Sequence, residues 1–292
     1  MLRYILLVTL VASALAFVEP RLDYHDSVGI PLAKSIRKAE EKLLASQDIG
    51  PNSGRIVGGV IAPAAQHPYL GGLVIDLMNT VDNSVCGSSF LTTYRLLTAA
   101  HCWISTRQQA WRFTVVLGSQ YLFYGGTYRI QTSSVVMHPW YNVHTLANDV
   151  AMIYLPTNVI VSQTVQPINL PNGIWDSFAG NWAVASEFGK TLDIGRGAET
   201  FVSHVTLQVI TVQACQAVFG PWAQNSNICT NGAGGVGICG GDTGGPLVVN
   251  QNRQNILVGI SSFVAADGCQ LGHPSVFARV TSFQSFITQH LW

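Results

Sequence analysis

Apolar positions along the chain fall into short runs rather than long helical stripes. The runs LGGLVI (70–75), RFTVVLG (112–118), TYRIQTSSVVMH (127–138), DVAMIYL (149–155), FVSHVTLQVI (201–210), PLVVN (246–250) and ILVGISSF (256–263) are rich in β-branched and aromatic residues. Gly, Asn and Pro turns separate them, the punctuation of a sandwich or barrel. Two stretches carry helical spacing instead. The C-terminal TSFQSFITQHLW sets Phe283, Phe286, Ile287, His290 and Leu291 on one face and predicts a terminal amphipathic helix. Residues 35–46, SIRKAEEKLLAS, hold helix formers with opposite charges one turn apart and predict a short solvated helix.

The N-terminus reads differently from the rest. Arg3, an apolar run from Ile5 and the small residues Ala12, Ser13, Ala14 and Ala16 make residues 1–16 a secretory signal peptide, with Ala14-x-Ala16 as its cleavage box. That run is shorter than the roughly 20 apolar residues that span a bilayer, so an exported, soluble product is expected, with no membrane partner. Residues 17–55 then hold 12 charged residues in 39, against 17 in the 237 residues from Ile56 to Trp292. A charged, loosely structured stretch that ends in one basic residue before an apolar one suggests a removable pro-segment.

Composition narrows the function classes. Fifteen Lys and Arg balance fifteen Asp and Glu, and a pI near 7.1 leaves no electrostatic footprint for a phosphate backbone, so nucleic acid is not an expected partner. Only 10% of residues are charged, yet 28 Gly and 12 Pro accompany 48% hydrophobic residues, which points to a packed, turn-rich body. An even count of six cysteines in an exported chain favours three disulfides, although spacing alone allows fifteen connectivities. No C-x-x-C pair occurs, so neither a structural metal nor another cofactor is expected.

Four segments stand in a telling order: RIVGG (55–59), LTAAHC (97–102), NDVAMIYL (148–155) and CGGDTGGP (239–246). Together they resemble the trypsin and chymotrypsin family of serine endopeptidases over the whole of 56–292. The resemblance implies an all-β fold of two six-stranded antiparallel β-barrels with a C-terminal helix, the cleft between them. It makes His101 the general base, Asp149 the carboxylate that orients it, and Ser262 a further donor to Asp149. The nucleophile position is Thr243, where the family has Ser. The Gly241 and Thr243 amides would form the oxyanion hole, since glycines there let N–H groups converge on one spot. Cleavage after Arg55 by a trypsin-like protease would free the Ile56 amine to pair with Asp242. The implied disulfides are Cys86 to Cys102, Cys215 to Cys229 and Cys239 to Cys269.

The resemblance also places Gly237 at the pocket floor, where a carboxylate would favour Lys or Arg, so a trypsin-like preference is disfavoured. It implies a wall of Ser262, Phe263 and Val264 with Ser275 deeper; Val264, where chymotrypsin-like members usually have Gly, would narrow the mouth toward small or medium apolar side chains. A β-branched nucleophile restricts χ1 and forces its methyl toward the acyl group or the Cys86 wall. Two functions follow: a weakened endopeptidase acting on polypeptides, or a non-catalytic homologue that binds peptides or protease inhibitors. The pro-segment and layout resemble insect digestive chymotrypsin-like precursors, particularly those of caterpillars, which implies a secreted, extracellular monomer in a gut lumen. From Ile56 onward seven of the eight basic residues are Arg, with Lys190 the exception. Arg stays charged above the roughly 10.4 at which Lys titrates, so an alkaline setting is expected.

Overall fold

The computed structural model describes residues 17–46, 60–61, 65–172, 177–188, 202–239 and 241–292. Its strands run from β1 (Val60–Ile61) into two antiparallel sheets. The first contains β2 (Leu70–Leu77), β3 (Asn83–Thr92), β4 (Arg95–Thr98), β5 (Ala110–Leu117), β6 (Tyr128–Thr132), β7 (Val135–Met137) and β8 (Ala151–Tyr154), in the order β6-β5-β2-β3-β4-β8-β7. The stretch 127–138 reads as one strand but is bent. Ser134 N donates to Thr132 Oγ1 at 3.1 Å, so β6 ends on β5 while β7 ends on β8. This half-barrel therefore comes round through the chain itself rather than through a ladder.

The second barrel is built from β9 (Trp182–Phe188), β10 (Val202–Ile210), β11 (Asn227–Thr230), β12 (Pro246–Gln251), β13 (Gln254–Phe263) and β14 (Ser275–Arg279). Its order β10-β11-β14-β13-β12-β9 closes on itself through the β9–β10 pairing, and β1 adds to the edge of β10. Leu207, Ile228, Leu247, Val258 and Phe277 fill its interior. Strands β3 and β11 carry too many polar or small residues to announce themselves by alternation. All eight interior positions of β3 are nonetheless buried, and Ser88 Oγ donates to Gly71 O at 3.0 Å, which satisfies a hydroxyl on a strand covered on both faces.

Two helices close the ends of the body. α2 (Val212–Phe219) is capped by Thr211, whose hydroxyl accepts from Ala214 N at 3.3 Å, and buries Cys215 and Phe219. The terminal helix α3 (Gln284–Gln289) follows a tight turn at Val280–Phe283; Phe283, Phe286 and Ile287 are its buried face.

The helix expected at residues 35–46 starts earlier and is solvated on one face only: Arg37, Lys38, Glu41 and Lys42 are exposed while Ile36 and Glu40 are buried. Residues His25–Gly29 form a π-helical turn that leads into α1 (Ile30–Ser46), and Leu32, Ala33, Ile36 and Glu40 are buried. The charges on 35–46 had suggested a solvated helix, but an apolar stripe begins earlier, at Leu32. Leu32 and Ile36 sit one turn apart, lie against β3, and belong to one buried cluster with Leu70, Val74 and Val85 of the half-barrel and Phe188 and Val202 of the closed one. Burying such side chains is worth about 1.5–3 kcal/mol each, enough to outweigh the cost of ordering them. Gly29 permits the close approach: a Cβ there would stand 2.0 Å from Ser84 Oγ.

Candidate active site

His101 lies on a single helical turn, Ala100–Cys102, just past the end of β4, and Cys102 is disulfide-bonded to Cys86 of β3. Asp149 precedes β8 and is 1% exposed. Its Oδ2 lies 2.7 Å from His101 Nδ1 and accepts from Ser262 Oγ at 2.6 Å, while Oδ1 accepts from His101 N at 2.9 Å. An ionised carboxylate only accepts, so Nδ1 carries a hydrogen, and in the neutral imidazole that is the tautomer with its lone pair on Nε2. Three donors also satisfy a charge that burial alone would penalise.

Thr243 sits across the cleft in the turn before β12 and is 6% exposed. Gly87 N donates to Thr243 O at 2.7 Å, Gly244 N to Ser261 O at 2.8 Å and Gly245 N to Asp242 O at 2.7 Å, which pins the turn to both barrels. Gly244 has φ +80, and a Cβ there would stand 2.3 Å from Thr98 Oγ1 and 2.5 Å from Gly87 O, so only glycine fits. Neither the Gly241 nor the Thr243 amide has a hydrogen-bond acceptor among the described residues. Asp242 Oδ2 accepts from Cys239 N at 2.6 Å; its Oδ1 is buried without a partner among the described residues. Arg55 and Ile56 lie outside the described residues.

The pocket residues converge beside this turn. Cys239 is bonded to Cys269, and Cys215 to Cys229. A Cβ on Gly237 would meet Ser275 Oγ at 2.8 Å, and that hydroxyl accepts from Ile238 N at 3.1 Å, so serine and glycine pack on each other behind Ile238; neither reaches the surface of the cavity, which Ile238 itself lines. A cavity of about 490 Å³ is bounded by His101, Thr243, Ser262, Phe263, Val264 and the Cys239–Cys269 walls.

Sequence reasoning missed what forms the cavity's other wall: Arg21, Tyr24, Ser27, Val28, Pro31 and Leu32. Tyr24 is buried with its ring edge-on to His101, centroids 5.1 Å apart. Its hydroxyl donates to Val85 O at 2.8 Å and is hydrogen-bonded to the Thr243 side chain. A phenol has one hydrogen, already given to Val85, so Thr243 donates to Tyr24 rather than to His101. Burial keeps the Tyr24 hydroxyl protonated far above its ordinary range. The apolar and aromatic residues of LDYHDSVGIPLA were a legible sign of burial that the surrounding charges obscured.

His25 adds a pH dependence. It is fully buried, with Nδ1 2.8 Å from Ser84 Oγ; the Tyr24 ring, the His101 ring and the carbonyls of His101 and Cys102 face it. Burial first, then repulsion from His101, depresses its pKa from 6.5 to about 3. A depressed imidazole contributes fully above the free value and loses that contribution as pH falls toward the folded one. Glu40, whose carboxyl burial raises despite three amide donors and Arg129, opposes this once pH falls into its own raised titration range. We expect docking of 17–46 to weaken on the order of tenfold between pH 7.5 and pH 5, measured as lower protection factors in that segment, each being an amide's intrinsic exchange rate divided by its observed rate at the same pH.

The family model described as Trypsin matches residues 56–287. This chain belongs to the trypsin family. It is 35% identical over 237 residues to Serine protease 1 of Drosophila melanogaster, covering 80% of this chain and 84% of the relative. Brachyurin of Leptuca pugilator is 34% identical over 234 residues, covering 80% and 96%. A solved structure of HL collagenase superposes with a TM-score of 0.73 at 32% identity, covering 81% of this chain and 98% of that one.

Proposed function

We propose that the protein is a secreted zymogen whose body, residues 56–292, is a chymotrypsin-like endopeptidase with Thr243 as a slow nucleophile. Residues 1–16 would be its signal peptide and 17–55 its pro-segment. The observation that carries this reading is the Asp149–His101 pair: a buried carboxylate 2.7 Å from Nδ1 holds the one tautomer that leaves Nε2 able to take a proton. His101 Nε2 would remove the Thr243 hydroxyl proton as Oγ1 attacks the scissile carbonyl, the imidazolium being stabilised by Asp149. The oxyanion would accept from the Gly241 and Thr243 amides. His101 then returns the proton to the leaving amine, and water discharges the acyl-enzyme by the reverse route.

Activation would follow cleavage after Arg55 by a trypsin-like protease. The buried Asp242 Oδ1 is suited to accept the new Ile56 amine, since an unpaired buried carboxylate is costly. Three disulfides fit an oxidising extracellular compartment, and the precursor-like layout together with the Arg bias supports an alkaline gut lumen. The second reading, a non-catalytic homologue that binds peptides or inhibitors, is favoured by one observation: a polypeptide segment already lies against both His101 and Thr243.

The test is peptide hydrolysis by Arg55-cut protein freed of its pro-segment, assayed beside His101→Ala. Hydrolysis that His101→Ala abolishes supports the first reading; hydrolysis unchanged by it, or none at all, favours the second. Val264 supplies a specificity test. In the Thr243→Ser background, Val264→Gly should raise kcat/KM for Phe at the cleaved position about tenfold relative to Ala, because removing a branched side chain frees roughly the volume of a few methylenes. A library profile that already favours Tyr, Phe or Trp without that change would contradict the steric assignment.

A further inference from the structure

Residues 17–46 touch the body at many points, including Val18 N to Val218 O, Thr106 Oγ1 to Leu22 O and Gln108 Nε2 to Asp26 Oδ1, and four sets of contacts fix the segment over the cleft and along the surface leading from it. Pro20 bridges Ala265 antiparallel, Ala266 N donates to Glu19 O at 2.9 Å, and the Arg21 guanidinium donates to Ala266 O. The segment thus pairs with the main chain just beyond the Phe263–Val264 wall, as an extended polypeptide adds to a strand edge. Tyr24 then turns inward to the Thr243 hydroxyl and the His101 ring. α1 packs on β3 and joins, through Leu32, Ala33 and Ile36, an apolar cluster that includes residues of both barrels.

The fourth contact is the most specific. Glu40 is 0% exposed, and its carboxylate accepts from three successive backbone amides, Leu122 N at 2.6 Å and Phe123 N and Tyr124 N at 2.9 Å. Convergent main-chain donors of this kind form an anion cradle, and each bond is charge-assisted. The cradle belongs to the body and its anion to the pro-segment. The first cysteine of the chain is Cys86, and the three disulfides lie within 86–269, so no covalent bond other than the backbone ties 17–46 to the body.

We infer that residues 17–46 are a non-covalent ligand of the catalytic cleft, which stays bound after the chain is cut at Arg55 and must leave before a polypeptide substrate enters. Tyr24 occupies the space beside both reacting side chains and takes the hydroxyl hydrogen that Thr243 would give to His101. Backbone cleavage changes none of the strand, aromatic, apolar or Glu40 contacts. Cutting at Arg55 therefore yields a two-chain complex with an occupied cleft, and release of the segment is a second activation step. The inference rests on the proposed cut at Arg55 but not on hydrolysis by Thr243, because binding is what is read.

The experiment uses the full chain. In the intact protein, the amides of 122–124 and of the Tyr24–Ile36 stretch should exchange slowly with deuterium, and Glu40→Ala should speed their exchange. The chain is then cut with a trypsin-like protease and run on size exclusion, the fragments being identified by mass. A chain with another protease's recognition sequence in place of residues 51–54 supplies the cut if the first protease leaves Arg55 intact. The wild-type fragment should co-elute with the body, while Glu40→Ala and Tyr24→Ala should each shorten its retention by roughly 10²-fold, since each leaves buried hydrogen-bonding groups unpaired. Lys34→Ala should change retention less than about threefold, because its pair with Asp82 is exposed. Melting temperatures of the cut bodies check that the variants fold. A wild-type fragment that separates as fast as the Glu40→Ala fragment, or amides of 122–124 that exchange at the free rate in the intact chain, would overturn the inference.

Discussion

Thr243→Ser should raise kcat/KM of protein cut after Arg55 and freed of residues 17–55 on the order of 10²-fold, if Thr243 is the nucleophile as proposed. The hydroxyl group is common to both side chains, so the difference is one of position. Oγ1 must be aimed at His101 Nε2 and at the scissile carbonyl at once. Around Thr243 the chain is held by Gly87, Ser261 and the Gly244 turn, so the backbone cannot shift to relieve a misplaced methyl. A displacement near 1 Å costs about 10²-fold, whereas losing a nucleophile outright costs roughly 10⁶-fold, and the threonine lies nearer the first limit. Steady-state kinetics on a peptide library pool checks this. A serine variant no faster than the parent would mean that the methyl is not what slows the protein.

In the Thr243→Ser background, Asp149→Asn should lower kcat by roughly 10⁴-fold, the scale of a triad held in the wrong tautomer. Asp149 accepts from His101 Nδ1, His101 N and Ser262 Oγ together. An amide replaces one acceptor oxygen with a donor. If the amide nitrogen faces Nδ1, His101 must carry its hydrogen on Nε2, where a general base needs a lone pair. If it faces the other way, it opposes the His101 main-chain N–H. Either orientation leaves a buried donor without an acceptor. Ser262→Ala removes a single donor and leaves the tautomer intact, so its loss should be far smaller. Equal losses in the two variants would show that Asp149 acts only as a structural anchor.

The sequence was most informative where chemistry is confined to a short turn. AAHC, NDVA and GDTGG each place one candidate group within a few residues of a cysteine, a strand start or a glycine turn, so a residue number could be attached to each proposed role, and the structure gathers His101, Asp149 and Thr243 about one cleft. Strands rich in Val and Ile, such as β5, β8 and β10, were legible for the same local reason. β3 was not, because Ser84, Ser88 and Ser89 read as polar although both faces of that strand are covered. Nor was the bend between β6 and β7 visible in a continuous β-like run.

The largest departure lies in residues 17–46, where residue-by-residue charge suggested solvation. Glu40 meets residues 122–124 and Tyr24 meets Val85 and Thr243 across more than sixty positions of sequence, and no local pattern encodes such pairings. What local pattern did contain, the stripe Leu32–Ala33–Ile36, ran across the boundary at Ser35 where the helix was expected to begin. A charged residue count cannot distinguish a carboxylate in water from one held by three amides.

The measurement that bears most directly on the account is covalent trapping. Arg55-cut, pro-segment-free protein would be exposed to an activated ester and its intact mass and peptide map read at short times. The account predicts an acyl adduct on Thr243 that forms slowly, is lost on further incubation and is absent from His101→Ala. No adduct at Thr243, or one that forms equally in His101→Ala, would contradict it.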